Sequence, residues 1–212
     1  MFPSFINLTN ESTHKLAKRL KTTGKPYDNK NNEYKQEFNN KINSVLSAHK
    51  TELDRMVIID SIKMSTSTSI INAGISKNNI ETVECDKETS RVHNEFGLKS
   101  YHCLLEDFVK IPTNSPCKLF CADATGSVWT VGNPILTALQ NGYFAKGTIL
   151  VITMSKRIGK GKIFIEEYSK WNVLLREAAS KIGLHIESKW QYQYGRPRCG
   201  QGNMLSECFI FC

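Results

Sequence analysis

KLFCADATGSVW, residues 118–129, is the stretch on which the reading of this chain turns. Its first half is a short apolar strand, Leu119 to Ala122, that stops on one acid, Asp123. Its second half is a turn of small residues, Ala124 to Ser127, in which Gly126 permits tight backbone. Ligands of an open parallel sheet sit just beyond the carboxyl ends of its strands, so a carboxylate there is placed to act on something bound above the sheet. Asp also favours turns for purely local reasons. Two earlier strands that end in the same way weigh toward a site.

Outward from this stretch, strand and helix patterns alternate. RMVIIDS (55–61) is a buried strand ending on Asp60, and KMSTSTSIINAG (63–74) is a Ser/Thr-rich turn leading into a short helix stopped by Gly74. NIETVECD (79–86) is a second strand, ending on Glu84 and Asp86, and KETSRVHNEFG (87–97) a helix closed by Gly97. LKSYHCL (98–104) is a third strand, followed by the acidic turn Glu106-Asp107; PCKLFCAD (116–123) is the fourth. A helix is expected over residues 132–142. GTILVITMS (147–155), apolar on both faces, is a central fifth strand. The basic loop KRIGKGK (156–162), an amphipathic helix over 164–182 and two strands without a helix between them, LHIESKWQYQY (184–194) and MLSECFIFC (204–212), complete the chain. Right-handed crossovers turn such an alternation into a parallel sheet covered on both faces, and the last two strands pair antiparallel. The expected fold is α/β: a Rossmann-like parallel sheet with an antiparallel C-terminal strand pair and an N-terminal helical extension.

The extension, residues 1–50, is Asn- and Lys-rich, unlike the α/β domain expected over 51–212. Helices are expected over 11–20 and 31–49, the second carrying Phe38, Ile42, Val45 and Leu46 at helical spacing. Lys15, Lys18, Arg19, Lys21 and Lys25 form a basic cluster that reads either as a solvated face or as a nucleic-acid contact.

The 212 residues suit one well-buried domain with an appendage. With 28 Lys+Arg against 20 Asp+Glu, the net charge of +8 argues for a polyanionic partner, nucleic acid before membrane. No apolar run approaches the ~20 residues of a membrane span. MFPSFINLTNESTHK lacks the basic-then-apolar order of a signal peptide, so an intracellular protein, cytoplasmic or nuclear, is expected. The seven cysteines form no CxxC pair and read as reduced core residues, with no metal site expected. The Asn/Lys bias fits an AT-rich genome, viral or protozoan.

The order of elements and the acids at strand ends resemble the class I S-adenosylmethionine-dependent methyltransferases, over roughly residues 54–212. The resemblance implies S-adenosylmethionine as cofactor. It implies that Asp60 and Ser61, with Ser65, Thr66 and Ser67 in place of the family's glycine-rich loop, hold its methionine end. It gives Glu84, seconded by Asp86, to the ribose hydroxyls, Glu106 and Asp107 to the adenine, and Asp123 to the methionine moiety and methyl acceptor. The loop SIKMSTSTS contains no glycine, a departure from the pattern where a ligand must touch main chain.

Acceptor classes separate by motif. DATG lacks the Pro-Pro-aromatic sequence of adenine-N6 and cytosine-N4 enzymes, and Thr125 and Met154 stand where cytosine carbon-5 enzymes acting on RNA carry cysteines. Ribose 2′-O-methyltransferases use a Lys-Asp-Lys-Glu set; Asp123, Lys156 and Glu207 occupy comparable places, with Lys50 or Lys63 as the first lysine. Lys156, Arg157, Lys160 and Lys162 follow strand five. Arg196 and Arg198 lie near Trp190, Tyr192 and Tyr194, cations and aromatics suited to a single-stranded nucleic acid, RNA favoured over DNA. The alternative is a catalytically inactive methyltransferase-like fold serving as a nucleic-acid-binding or regulatory subunit. No GxGxxG follows any strand, which argues against a dehydrogenase.

Overall fold

The apolar runs around Asp123 become the middle of a sheet. The computed structural model describes residues 33–124, 126–156, 161–194 and 204–212. Its strands are β1 (Met56–Ile59), β2 (Ile80–Glu84), β3 (Lys99–His102), β4 (Leu119–Asp123), β5 (Ile149–Ser155), β6 (Ile186–Tyr194) and β7 (Met204–Phe211). They lie in the order β3-β2-β1-β4-β5-β7-β6. β1 to β5 are parallel, and β7 runs antiparallel between β5 and β6. The α/β fold and antiparallel closing pair expected from the sequence are what the chain adopts. β7 takes the inner position because it is buried along almost its whole length, whereas β6 carries Glu187, Lys189, Gln191 and Gln193 and suits an edge.

Six α-helices among the described residues cover the sheet: α1 (Glu33–Ala48), α2 (Ser65–Asn72), α3 (Lys87–Glu95), α4 (Leu105–Phe108), α5 (Val128–Gln140) and α6 (Gly161–Lys181). Strand alternation divides the core in two. Val57, Phe120, Ala122, Leu150 and Ile152 pack with Ile135 of α5 and Trp171 and Leu175 of α6. Met56, Ile58, Leu119, Cys121 and Val151 pack on the other face with Phe38 and Ile42 of α1 and Ile70 of α2. Phe38 and Ile42 are 1% and 0% exposed. Each contributes roughly 1.5–3 kcal/mol by burial, which makes α1 an integral layer of this domain although it lies within residues 1–50. The helix expected over 11–20 and the basic cluster from Lys15 to Lys25 lie outside the described residues. No helix of the described residues is long and apolar enough to cross a membrane.

α5 begins before Gly132 because Ser127 caps it, its Oγ accepting from the Thr130 N–H at 3.3 Å. Gly132 serves packing instead. A Cβ there would come within 2.3 Å of Trp171 Nε1 on α6. Gly132→Ala is expected to lower stability by about 2 kcal/mol, overpacking outweighing the helix propensity that alanine gains. Thermal unfolding of the variant checks this.

Candidate active site

β1 ends on Asp60, a 6% exposed carboxylate whose two oxygens organise the following loop. Oδ1 accepts from the Ser61 N–H at 2.9 Å. Oδ2 accepts from the Ser67 N–H at 2.7 Å and the Ser67 hydroxyl at 3.0 Å. Asp60 thus ties the loop to the first turn of α2. Burial raises its pKa, outweighing the nearby Lys35 ammonium and the serine bonds. The loop makes its turn without glycine by placing Met64 in the left-handed region, φ 50° and ψ 38°, with the Met64 N–H donating to Ser61 O at 2.8 Å. That conformation costs a side-chain-bearing residue about 1–2 kcal/mol.

Glu84 ends β2 beside it, and its Oε1 accepts from the Asp60 N–H at 2.9 Å. Burial drives the Glu84 carboxyl well above the ordinary carboxylate range, and Asp60 and Asp86 add to the shift against the one backbone bond. Asp86 itself is a helix cap: its Oδ1 accepts from the Thr89 N–H and the Thr89 hydroxyl, each at 2.7 Å. From α3, the fully buried His93 braces the loop. Its Nε2 lies 2.9 Å from Ser61 O and its Nδ1 3.0 Å from Thr82 Oγ1. Because a carbonyl only accepts, Nε2 is the donor to Ser61 O. His93 is absent from the expected site residues: in the polar helix KETSRVHNEFG nothing local distinguishes it.

The loop is short of partners in one respect. Ser61 Oγ, Ser65 Oγ and Thr66 Oγ1 are buried without a hydrogen bond, as is Asp107 Oδ2 in α4. The other Asp107 oxygen accepts from Lys110 at 2.9 Å. A buried polar atom left unpaired costs about 1–3 kcal/mol, so several around one sheet end mark a place where a polar ligand fits. Ser and Thr hydroxyls suit a carboxylate, and Asp107 suits an amine.

Asp123, at the end of β4, is met from α1. Lys35 donates to Asp123 Oδ2 across 88 residues of sequence, with its ammonium 4.6 Å from the Phe38 ring centroid. Burial opposes charge on Lys35, but Asp123 and Asp60 outweigh it and hold the pKa above its ordinary value. Asp60, Glu84 and Asp123 therefore converge on one end of the sheet. Lys35 was absent from the expectations, which looked to Lys50 or Lys63. The sequence places Lys35 three residues before Phe38, at the head of the apolar stripe, and carries no mark of its partner on β4. The turn after Asp123 is held to β5 by the Ser155 N–H donating to Gly126 O at 2.8 Å.

The other residues of the expected Lys-Asp-Lys-Glu set lie apart. Lys156 donates to Gln193 Oε1 at 3.0 Å on the edge strand. Glu207 pairs opposite Ile152, on the face carrying α5 and α6. It is 2% exposed and accepts from the Ser188 hydroxyl at 2.7 Å and Gln191 Nε2 at 2.9 Å. The residue of β7 on the Asp123 side is Ser206, bonded to Thr153 at 2.8 Å. Burial raises the Glu207 pKa from 4.5 to about 7. Between those values the unfolded chain gives up this proton first, so stability falls as pH rises through the window. Glu207→Gln is expected to flatten that slope and to be on the order of 2 kcal/mol more stable than wild type above the window. Denaturant unfolding across pH checks it.

Trp190 and Tyr192, expected as stacking surfaces, pack against α1. Trp190 meets Phe38 edge-on with centroids 6.1 Å apart, and the Tyr192 hydroxyl donates to Glu37 Oε2 at 2.7 Å. Arg157, Lys160, Arg196 and Arg198 lie outside the described residues, and Lys162 lies in the first turn of α6. Glu106 neighbours Asp107 in α4.

No protein-family model matches the sequence, and no curated protein matches it. Solved structures do match. The chain is similar to the N-methyltransferase NodS of Bradyrhizobium japonicum, with a TM-score of 0.55, 13% identity and coverage of 85% of this chain and 97% of that one. It is similar to an O-methyltransferase of Bacillus cereus in complex with SAH, with a TM-score of 0.57, 9% identity and coverage of 95% and 91%. It is also similar to a protein assigned as an rRNA-methylase from Clostridium thermocellum, with a TM-score of 0.56, 8% identity and coverage of 82% and 96%. The fold is that of the class I S-adenosylmethionine-dependent methyltransferases.

Proposed function

We propose that the chain is an S-adenosylmethionine-dependent methyltransferase whose acceptor is nucleic acid, RNA before DNA. The observation that carries the cofactor reading is the group of buried, unpaired oxygens, Ser61 Oγ, Ser65 Oγ, Thr66 Oγ1 and Asp107 Oδ2, at the sheet end that also holds Glu84 and Asp123. In this reading Glu84 accepts from the two ribose hydroxyls, and Asp107, beside Glu106, accepts from the adenine amine. The serine and threonine hydroxyls donate to the amino-acid carboxylate. Asp60 shapes the loop, with Ser67 as its partner, and His93 supports it from behind. Asp86 acts one step back, by fixing the start of α3. Asp123 faces the methionine end and the acceptor. The bound cofactor supplies a methyl group on a sulfonium, open to in-line displacement; the protein's task is to position the acceptor there.

The nucleic-acid reading is supported by the net charge of +8 and by the run of cations from Lys156 through Arg157 and Lys160 to Lys162, just past β5. Arg196 and Arg198 belong to the same reading by sequence. The similar structures include one N-methyltransferase, one O-methyltransferase and one assigned to rRNA, so the fold leaves the acceptor open. The test is transfer of radiolabelled methyl groups to pooled RNA, DNA and protein. Label in RNA that nuclease removes is the expected result. Label in protein alone would overturn the acceptor. Cofactor binding with no label in any pool would favour the non-catalytic subunit.

A further inference from the structure

Lys35 is the charged member of the buried stripe of α1, which otherwise presents Phe38, Asn39, Ile42 and Leu46. It is 8% exposed and carries its charge into the same sheet end as Asp60 and Asp123. The helix that delivers it is pinned at several points. Asn39 Nδ2 donates to Ser65 O at 3.0 Å, and Asn43 Nδ2 to Ser69 Oγ at 2.9 Å, so α1 is bonded to the very loop and helix that border the candidate cofactor site. Phe38 against Trp190 and Glu37 against Tyr192 fix its other side to the C-terminal strands. A buried ammonium held this firmly cannot move into water without loosening these contacts.

Such a cation has a consequence for any ligand that is itself charged. S-adenosylmethionine and its product, S-adenosylhomocysteine, share the nucleoside, the ammonium and the carboxylate, and differ by a methyl group and the positive charge on sulfur. We propose that Lys35 is a charge-selecting residue of this site: its buried ammonium, fixed beside Asp123 and Asp60, sets the balance between the sulfonium cofactor and its thioether product. The inference rests on the cofactor reading above and adds a specific role within it. Two unit charges a few ångströms apart interact appreciably even at the effective dielectric of a partly buried site. The fixed ammonium therefore weighs against the charge on sulfur, which the product lacks, while its effect on the ammonium and carboxylate common to both ligands cancels in their ratio.

The experiment is the dissociation constant of each ligand, measured by calorimetry on wild type, Lys35→Met, Lys35→Gln and Lys35→Arg proteins. The readout is the ratio of the two constants on one preparation, so an inactive fraction cancels. Lys35→Met and Lys35→Gln are expected to shift the ratio at least tenfold toward S-adenosylmethionine, about 1.4 kcal/mol. Lys35→Arg, which keeps the charge, is expected to stay near wild type. The glutamine variant keeps a donor to Asp123 and serves where the methionine variant does not fold. A ratio that stays flat or moves toward the product in the neutral variants overturns charge selection while leaving the cofactor reading intact. Failure of wild type to bind either ligand overturns both.

Discussion

A Glu84→Ala protein is expected to bind S-adenosylhomocysteine at least about a hundredfold more weakly than wild type while still unfolding in one cooperative transition. Glu84 ends β2 with one oxygen on the Asp60 N–H. A carboxylate has lone pairs enough for two more donors, and the ribose offers two on adjacent carbons. Hydrogen bonds to a charged acceptor are each worth about 1.5–3 kcal/mol, and two of them account for the loss. The fold suffers less, because alanine gives up a single backbone bond. Burial holds the Glu84 carboxyl well above its usual range. Since the ionised form is the better acceptor, affinity should weaken toward acid pH and strengthen as pH rises through its titration. Titration calorimetry over a pH series reads both effects. A Glu84→Ala protein that binds as wild type does would remove β2 from the site.

The second large effect is on the scaffold. Asp60→Ala is expected to cost about 3–5 kcal/mol of stability and, with it, ligand binding. The carboxylate accepts from the Ser61 and Ser67 N–H groups and the Ser67 hydroxyl, and it helps balance the buried Lys35. Alanine leaves those donors buried without an acceptor. For a chain of this size each kcal/mol lowers the melting temperature by roughly 2–4 °C, so a fall of about 10 °C is expected by calorimetric scanning. Asp60→Asn, which keeps one acceptor, should fall between. A melting temperature close to wild type for the alanine variant would mean that the loop holds its shape by other means, Met64 and His93 foremost.

How much of this was legible in the sequence depends on distance along the chain. The runs MVII and LFCAD, each closed by an acid, announce strand ends directly, and the structure puts Asp60, Glu84 and Asp123 at the ends of neighbouring strands. Local spacings were readable too, as in Asp86 with Thr89 three residues on, although Asp86 was expected at the ribose rather than at the cap it forms. Contacts across the chain were not. Lys35 reaches Asp123 over 88 residues, and only the packing of α1 across the sheet brings them together. Glu207 illustrates a different limit. A one-residue change of register moves a side chain to the opposite face of a sheet, and nothing in MLSECFIFC says which of Ser206 or Glu207 faces β4's acid. The pairing of Ile152 with Glu207 decides it. How a loop without glycine makes its turn is hidden in the same way, because a left-handed Met64 is visible only in the backbone.

The most direct test of the central claim, that the carboxylates and unpaired hydroxyls beyond β1, β2 and β4 hold an adenosyl cofactor, is equilibrium dialysis of the wild-type protein against radiolabelled S-adenosylmethionine, with S-adenosylhomocysteine and ATP as competitors. Saturation at one molecule per chain, displaced by S-adenosylhomocysteine and not by ATP, is the predicted result. Label that never saturates, or that ATP displaces equally well, would contradict it.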